Sequence, residues 1–316
     1  MSPHIFTASR FTVNGGRVGG AVGSPTPIEL SVSPEQPPTP VVQVGVVDTG
    51  VLLRDGRPHP FLDDRVRFAP ADEEVRGGQR PTRPDLDGHG TFVAGVILRE
   101  APSAVVDLKG VLDRNTGDVE DEAVADAVGQ LARDDVRLIN LSFTGHATER
   151  FEPPEIVRAL RCLPADTVVV AAAGNSSSPE PRYPAAIDLG PDHALIIAVG
   201  AVDETPPPAH RGAPPPRADF SNHGDWVHAY TNGVHVAGPA LIESEQLDPH
   251  WGWVTWSGTS FAAAVVTGAI AQLSADKGVS LREAADEILA GRLIPIENGG
   301  DKPYVRSRTS NWPALN

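Results

Sequence analysis

The chain has 316 residues and a formal net charge of −15, with 40% hydrophobic and 21% charged residues. This composition is typical of a soluble globular protein with one large domain or two small ones. The excess of acidic residues would repel phosphate groups, so we expect no nucleic-acid partner. No run approaches the ~18 apolar residues of a membrane span, so we expect no membrane partner either.

The first 40 residues differ in composition from the rest of the chain. They are rich in proline and serine, as in VGSPTPIELSVSPEQPPTP, and predict at most one short strand, around residues 28–32. No apolar signal-peptide core is visible, and the single cysteine, Cys162, excludes an internal disulfide. We therefore predict an N-terminal extension, residues 1–40, followed by one domain, residues 41–316, in a cytoplasmic protein.

From residue 41 onward, short apolar runs alternate with helical patterns. VVQVGVVDTG is rich in β-branched residues and stops at a turn, which is typical of a buried parallel strand. Similar runs predict strands at residues 104–111, 136–141, 168–173 and 194–202. Helices are predicted from DVEDEAVADAVGQLARDD, from EPPEIVRALRCL, and over residues 259–276 and 280–290. This alternation predicts an α/β fold with a mostly parallel central sheet and helices on both faces. Cys162, at the end of the second helix, is interpreted as a small core residue.

Four polar residues lie at predicted strand ends and helix starts. Asp48 ends the first strand and Asn175 follows the strand VVVAAAGN, while His89 and Ser260 each precede an apolar helix. Taken singly, each has a structural interpretation as a turn, loop or helix-capping residue. Together they predict a cleft, because functional groups of open α/β sheets collect at the carboxyl ends of the strands.

Four segments, VVDTG, GHGTFVAG, AAAGN and SGTSFAAA, resemble the signatures of the subtilisin-like serine proteases, in the same Asp, His, Ser order. INLSFTG resembles the substrate-binding strand of that family, RYPAA its Tyr-Pro-Ala turn, and ADFSNHG its Phe-Ser-Asn segment. The resemblance extends from about residue 41 to residue 290. It implies a three-layer α/β/α fold and a serine endopeptidase.

The resemblance also implies a role for each of the four polar residues. Ser260 would be the nucleophile, and His89 the general base that takes its proton and later gives it to the leaving amine. Asp48 would hold the imidazole in the required tautomer. The side-chain amide of Asn175 and the backbone N–H of Ser260 would stabilise the oxyanion.

Substrate contacts follow from the same resemblance. An extended peptide would pair with the strand that contains LSFTG, which gives affinity with little sequence preference. The small residues opposite that strand suggest an open pocket for an apolar or large side chain. We assign substrate binding to Ser142, Phe143, Thr144, Ala172, Ala173 and Gly174.

Several positions depart from the family pattern. Phe261 replaces the usual Met after the serine, Ala264 replaces a Pro, and Phe92 replaces the second histidine of the His-Gly-Thr-His motif. None of them replaces a catalytic group. The extension of residues 1–40 is too short for the folding prodomain of secreted members, so the chain resembles an intracellular member. We hypothesise that this extension covers the cleft or braces the sheet; a disordered tail is the alternative.

No cofactor is required by these residues. Calcium sites are common in the family, and calcium stays a candidate cofactor, although no EF-hand loop is present. Four acidic residues, Asp85, Asp87, Asp203 and Glu204, are interpreted as solvated loop charges. We expect a monomer that acts on a peptide or protein substrate, and the acidic surface leaves room for a regulatory protein partner. The alternative function is a catalytically inactive, subtilisin-like module that binds peptides or regulates a partner.

Overall fold

The computed structural model describes residues 10–13, 24–30, 32, 41–74, 86–112, 118–146, 153–206, 209–210, 213–243 and 248–310. Its strands are β1 (Arg10–Val13), β2 (Thr26–Ile28), β3 (Val42–Asp48), β4 (Val51–Leu52), β5 (Val66–Arg67), β6 (Glu73–Glu74), β7 (Ala104–Gly110), β8 (Asp118–Glu120), β9 (Leu138–Leu141), β10 (Gly145–His146), β11 (Val168–Ala172), β12 (Leu195–Val202), β13 (Ala229–Asn232), β14 (Val236–Ile242), β15 (His250–Trp256), β16 (Leu293–Ile296) and β17 (Gly300–Pro303). Its α-helices are α1 (His89–Glu100), α2 (Asp121–Arg133), α3 (Pro154–Arg161), α4 (Thr259–Lys277) and α5 (Leu281–Leu289), and Pro70–Asp72 forms a 3₁₀ turn.

The central sheet has seven strands in the order β13-β12-β11-β9-β3-β7-β5, and all of its pairings are parallel. Five of these strands coincide with the apolar runs of the sequence, so the predicted parallel sheet is confirmed. The runs are almost continuously apolar because both faces of a parallel sheet are covered by helices.

Two separate hydrophobic cores lie on the two faces of this sheet. One contains Val44 and Val46 of β3 together with residues of α1, α4 and α5. The other contains Val47 of β3 together with residues of α2 and α3. Neighbouring residues of β3 point to opposite faces, as the two-residue period of a strand requires. The three-layer α/β/α arrangement that the sequence predicts is therefore confirmed.

The long helix α4 is buried along most of its length, from Thr259 to Ala271, with Ala269 partly exposed. Its small side chains allow close contact with its neighbours. A Cβ atom added at Gly268 would lie 2.5 Å from the Cβ of Glu100 at the end of α1. The sequence interpretation of these small residues as packing positions is confirmed. Within the part of the chain that the structure describes, no helix is long and apolar enough to cross a membrane.

The N-terminal extension contributes two strands rather than the single one predicted. β1 lies between β10 and β8 and is antiparallel to both. β2 is antiparallel to β15, next to the hairpin that β15 forms with β14. Ile28, Leu30 and Val32 pack against the larger core. The predicted strand at residues 28–32 is thus displaced toward the N-terminus, and residue 31 lies outside the described residues.

The interpretation of Cys162 as a core residue is wrong, because this cysteine is exposed. Helix α3 is amphipathic, and Ile156 and Leu160 form its buried face. Cys162 follows Leu160 by two positions, which places it about 200° around the helix from that face.

Candidate active site

The ends of three neighbouring strands form the floor of the candidate site. β11, β9 and β3 are adjacent in the central sheet and point in the same direction. Asp48 is the last residue of β3, Ser142 follows β9, and Asn175 lies three residues beyond β11. Residues distant in the chain therefore meet at one edge, as expected for an open α/β sheet.

Asp48 and His89 form a hydrogen-bonded pair. The imidazole Nδ1 of His89 lies 2.7 Å from Oδ1 of Asp48, and the backbone N–H of Thr49 donates to the same oxygen at 2.8 Å. Asp48 is fully buried and His89 is 6% exposed. Because the carboxylate accepts a hydrogen bond from Nδ1–H, the lone pair of the neutral ring lies on Nε2, which can act as a base.

The first turn of α1 approaches the end of β3 very closely. The backbone N–H of Gly90 donates to the hydroxyl of Thr49 at 3.0 Å. A Cβ atom at Gly90 would lie only 2.6 Å from the backbone oxygen of Gly50. Glycine is therefore required after His89, because a side chain would push the imidazole away from Asp48.

Two aromatic rings pack against the imidazole of His89, and a third packs against both of them. The ring centroids of Trp256 and Phe261 lie 5.8 and 5.4 Å from that of His89. Phe92 and Phe261, the two aromatic departures from the family pattern, contact each other with centroids 4.4 Å apart. These two substitutions therefore form one packed unit, which also includes Trp256. The sequence analysis did not identify Trp256, although its position four residues before Ser260 offered a signal.

Ser260 is the second residue of α4 and is 8% exposed. Its hydroxyl donates to the backbone oxygen of Ser142 at 2.8 Å, and the hydroxyl of Ser142 lies 2.8 Å from the backbone oxygen of Ser260. The side-chain amide of buried Asn140 continues this network. Its oxygen lies 2.7 Å from the Ser142 hydroxyl, and its NH₂ group donates to the Thr267 hydroxyl at 2.9 Å. Sequence reasoning missed Asn140 and Thr267, which join β9 to α4.

The carboxamide of Asn175 is oriented by Thr259. Its Oδ1 accepts hydrogen bonds from the backbone N–H and the hydroxyl of Thr259, both at 2.9 Å. The Thr259 hydroxyl in turn accepts from the backbone N–H of Gly174 at 3.0 Å. Because two donors hold the oxygen, the NH₂ group is directed away from Thr259 and can donate to another acceptor.

The remaining predicted substrate residues are placed around these groups. A Cβ atom at Gly174 would lie 3.2 Å from the hydroxyl of Thr144, so these two positions face each other. The side chains of Phe143, Ala172 and Ala173 are buried in the hydrophobic cores. These three residues are at most 2% exposed, backbone included.

The acidic residues considered for calcium have other partners or positions. Oδ1 of Asp203 accepts from the N–H and hydroxyl of Thr205, and Glu204 accepts from the hydroxyls of Tyr304 and Ser310. Three of the four carboxylate oxygens of these two residues therefore accept hydrogen bonds from protein donors. Asp85 lies outside the described residues, and Asp87 is partly exposed in the turn before α1. Among the residues described, no group of three or more His, Cys, Asp or Glu could hold a metal ion.

Comparison with known proteins gives a consistent family. The subtilase family model matches residues 41–288. A thermophilic serine proteinase of Bacillus sp. (strain AK1) is 30% identical over 259 residues, which cover 78% of this chain and 55% of that protein. The major intracellular serine protease of Bacillus subtilis (strain 168) is 25% identical over 276 residues, which cover 81% of this chain and 77% of that protein.

A solved structure described as proteases from Pseudoalteromonas arctica PAMC 21717 has the same fold. It superposes with a TM-score of 0.63 at 19% identity, and the match covers 84% of this chain and 87% of that one. The family model begins at residue 41, the first residue after the N-terminal extension. The chain therefore belongs to the subtilase family, the subtilisin-like serine proteases.

Proposed function

We propose that this protein is a serine endopeptidase in which Ser260 attacks the peptide bond and His89 and Asp48 activate it. The observation that carries the proposal is the 2.7 Å contact between His89 Nδ1 and Asp48 Oδ1, at the sheet edge where α4 begins. A buried carboxylate that holds one imidazole nitrogen leaves the other as a base. An inactive module would need no such pair, and no observation favours that alternative.

In the first chemical step, the Ser260 oxygen bonds to the substrate carbonyl carbon while its proton passes to Nε2 of His89. The same proton then goes to the leaving amine as the C–N bond breaks, and water hydrolyses the acyl-enzyme by the reverse route. In the structure the Ser260 hydroxyl is bonded to the backbone oxygen of Ser142. If a substrate N–H donated to the backbone oxygen of Ser142, the Ser260 hydroxyl would lose that acceptor and could turn toward His89.

The negative charge that develops on the carbonyl oxygen requires donors in fixed positions. The NH₂ group of Asn175 and the backbone N–H of Ser260 would supply them. Thr259 supports this role, since it holds the other end of the Asn175 carboxamide. The amino end of α4 adds a favourable dipole, because Ser260 lies in its first turn.

The substrate class that we propose is an extended peptide or protein segment. Its backbone would pair with the chain at Ser142 and Thr144, with Gly174 beside them. We further propose that the protein works inside the cell, because one of the similar proteins is an intracellular serine protease. We also propose that it acts as a monomer.

We propose separate roles for two parts of the N-terminal extension, residues 1–40, relative to a peptidase domain of residues 41–316. β1 would cover the cleft: Thr12 pairs with His146 and Val13 with Gly145, so this strand runs toward Ser142 along the edge that we assign to substrate. β2 would brace the fold, because it pairs with β15 and its neighbouring apolar residues pack against the core.

Two deletions separate these roles. Removing residues 1–13 should lower KM, because β1 no longer competes with substrate, and should leave the melting temperature nearly unchanged. Removing residues 1–32 should in addition lower the melting temperature. An unchanged KM in the first variant would argue against the covering role, and an unchanged melting temperature in the second against the bracing role.

A fluorophosphonate probe tests the proposed function directly. Such a probe bonds to a serine only when a base activates that serine, so the full chain should be labelled at Ser260. The Ser260→Ala and His89→Ala variants should not be labelled. A folded wild-type chain that stays unlabelled across a range of pH would favour the inactive module.

A further inference from the structure

Glu74 is a buried carboxylate that takes no part in the proposed chemistry. It lies on β6, and its residue is only 5% exposed. β6 is parallel to β4, with Glu74 opposite Leu52, so the carboxylate lies beside the turn that follows Asp48. Burying an ionised group is costly unless hydrogen bonds compensate. The donors that contact the Glu74 carboxylate therefore indicate which segments it holds.

The two oxygens of Glu74 bind two different segments of the active site. Oε2 accepts from the hydroxyl of Thr49 at 3.0 Å, and Oε1 accepts from the backbone N–H of Gly88 at 2.9 Å. Thr49 directly follows Asp48, and Gly88 directly precedes His89. One carboxylate therefore joins the segment that carries Asp48 to the segment that carries the proposed base, His89.

These hydrogen bonds, together with the peptide bond between Gly88 and His89, close a ring that contains Asp48 and His89. Starting from Glu74, the ring passes through Thr49 to Asp48 and through Gly88 to His89, and the 2.7 Å bond between His89 and Asp48 completes it. We propose that Glu74 is a positioning residue, which sets the distance between Asp48 and His89 by bonding to the residue beside each of them. This inference rests on the proposed function.

The chemistry of the ring explains why a carboxylate suits this position. The Thr49 hydroxyl and the Gly88 amide N–H can both donate, and a carboxylate accepts from both at once. A glutamine could keep both contacts, with its oxygen on Gly88 and its NH₂ on the second lone pair of the Thr49 oxygen. An alanine would remove both, and the Asp48 and His89 segments would then be free to shift relative to each other.

The test compares Glu74→Ala with Glu74→Gln in the full-length chain, with kcat and KM measured separately on a peptide substrate. Glu74→Ala should lower kcat by about 10- to 100-fold with little change in KM, because misplacement of catalytic groups acts on the chemical step. Glu74→Gln should restore most of the kcat. Thr49→Val, which removes the linking hydroxyl, should reproduce the kcat loss and serves as a second variant if Glu74→Ala does not fold.

Glu100→Ala is the matched control for loss of a buried carboxylate. Glu100 is 3% exposed and accepts from the hydroxyl of Ser307 and the backbone N–H of Arg308, at the far end of α1 from His89. This variant should lower the melting temperature and leave kcat unchanged. Equal kcat losses in Glu74→Ala and Glu100→Ala would overturn the proposal, and so would a Glu74→Gln enzyme as impaired as Glu74→Ala.

A second readout does not depend on turnover. The proton between His89 Nδ1 and Asp48 should give a downfield NMR resonance in the wild type and in Glu74→Gln. In Glu74→Ala the resonance should broaden or disappear, because the bond is no longer held. A resonance that is identical in all three proteins would overturn the positioning role, whereas failure of Ser260 to react in a wild type that shows the resonance would count against the proposed function instead.

Discussion

The carboxamide oxygen of Asn175 accepts both donors of Thr259, the backbone N–H and the hydroxyl, each at 2.9 Å. Asn175→Ala should lower kcat by about 10²–10³, as the loss of the corresponding donor does in subtilisin itself. Thr259→Val should cause a smaller loss of kcat, because one of the two bonds that orient the amide remains. Thr259→Ser keeps the hydroxyl and is the control; a Thr259→Ser enzyme as slow as Thr259→Val would contradict the role of that hydroxyl.

Ser260→Ala and His89→Ala should each lower kcat by about 10⁶, the size of the effect in subtilisin itself. The double variant should be hardly slower than either single variant, since the two residues act as one unit. Steady-state kinetics on one peptide substrate measures all three. A loss below tenfold in either single variant would remove that residue from its proposed role.

The pH dependence of kcat/KM should show a loss of activity on the acid side, near pH ~6–7, where histidine side chains ordinarily titrate. The reason is that a protonated imidazole cannot accept the Ser260 proton. Rates should be measured from pH 5 to 8 at constant ionic strength. A flat profile over this range would be evidence against His89 as the base.

Gly268→Ala should destabilise the fold by about 1–3 kcal/mol. Its new Cβ would lie 2.5 Å from the Cβ of Glu100 and 2.9 Å from the backbone oxygen of Ile97, so α1 and α4 would have to separate. Gly129→Ala on α2 is the matched control, with only the end of the Arg133 side chain nearby, at 3.4 Å. It should stabilise by about 0.5–1 kcal/mol. Urea unfolding in a Ser260→Ala background, which prevents self-digestion, measures both changes.

His59 should make the fold less stable as the pH falls. Burial lowers the pKa of this imidazole from its ordinary 6.5 to about 4, although its hydrogen bond to the backbone of Gly252 acts in the opposite direction. Its Nδ1 accepts from the backbone N–H of Phe61 at 3.0 Å, a bond that only the unprotonated nitrogen can make. The folded state therefore prefers neutral His59, and the unfolded chain takes up the proton first.

The stabilisation from neutral His59 is complete above pH 6.5 and is lost as the pH falls from 6.5 to about 4. The loss should reach about 2–3 kcal/mol at the lower end. Free energies of unfolding at pH 7 and pH 4.5 measure it, and the His59→Gln variant should show a smaller difference between the two. An equal difference in both proteins would mean that other groups cause the acid sensitivity.

Most of the fold could be predicted from local patterns. The β-branched runs predict five strands of the central sheet, since a strand covered on both faces must be apolar throughout. The helical spacing of apolar residues predicts α2 and α3. Cys162 was assigned to the core from its residue type alone, whereas its spacing from Ile156 and Leu160 places it on the opposite side of the helix.

The groups that support the predicted site residues could not be predicted in this way. Glu74 and Thr49 are 25 positions apart, Asn175 and Thr259 are 84 apart, and Ser142 and Ser260 are 118 apart. No periodic pattern links such residues, because their contact depends on the order of the strands and on where α1 and α4 cross the sheet. The place of β1 between β8 and β10 likewise has no local signal.

The sequence by itself determined the family and the parallel sheet, and it predicted Asp48, His89, Asn175 and Ser260 as site residues, because chain order, residue type and periodicity are local properties. Only the tertiary structure decided what holds these four side chains in place. Strand order and helix packing bring Thr259 to Asn175, Glu74 to the residues beside Asp48 and His89, and β1 to its place between β8 and β10. These are properties of the packed chain.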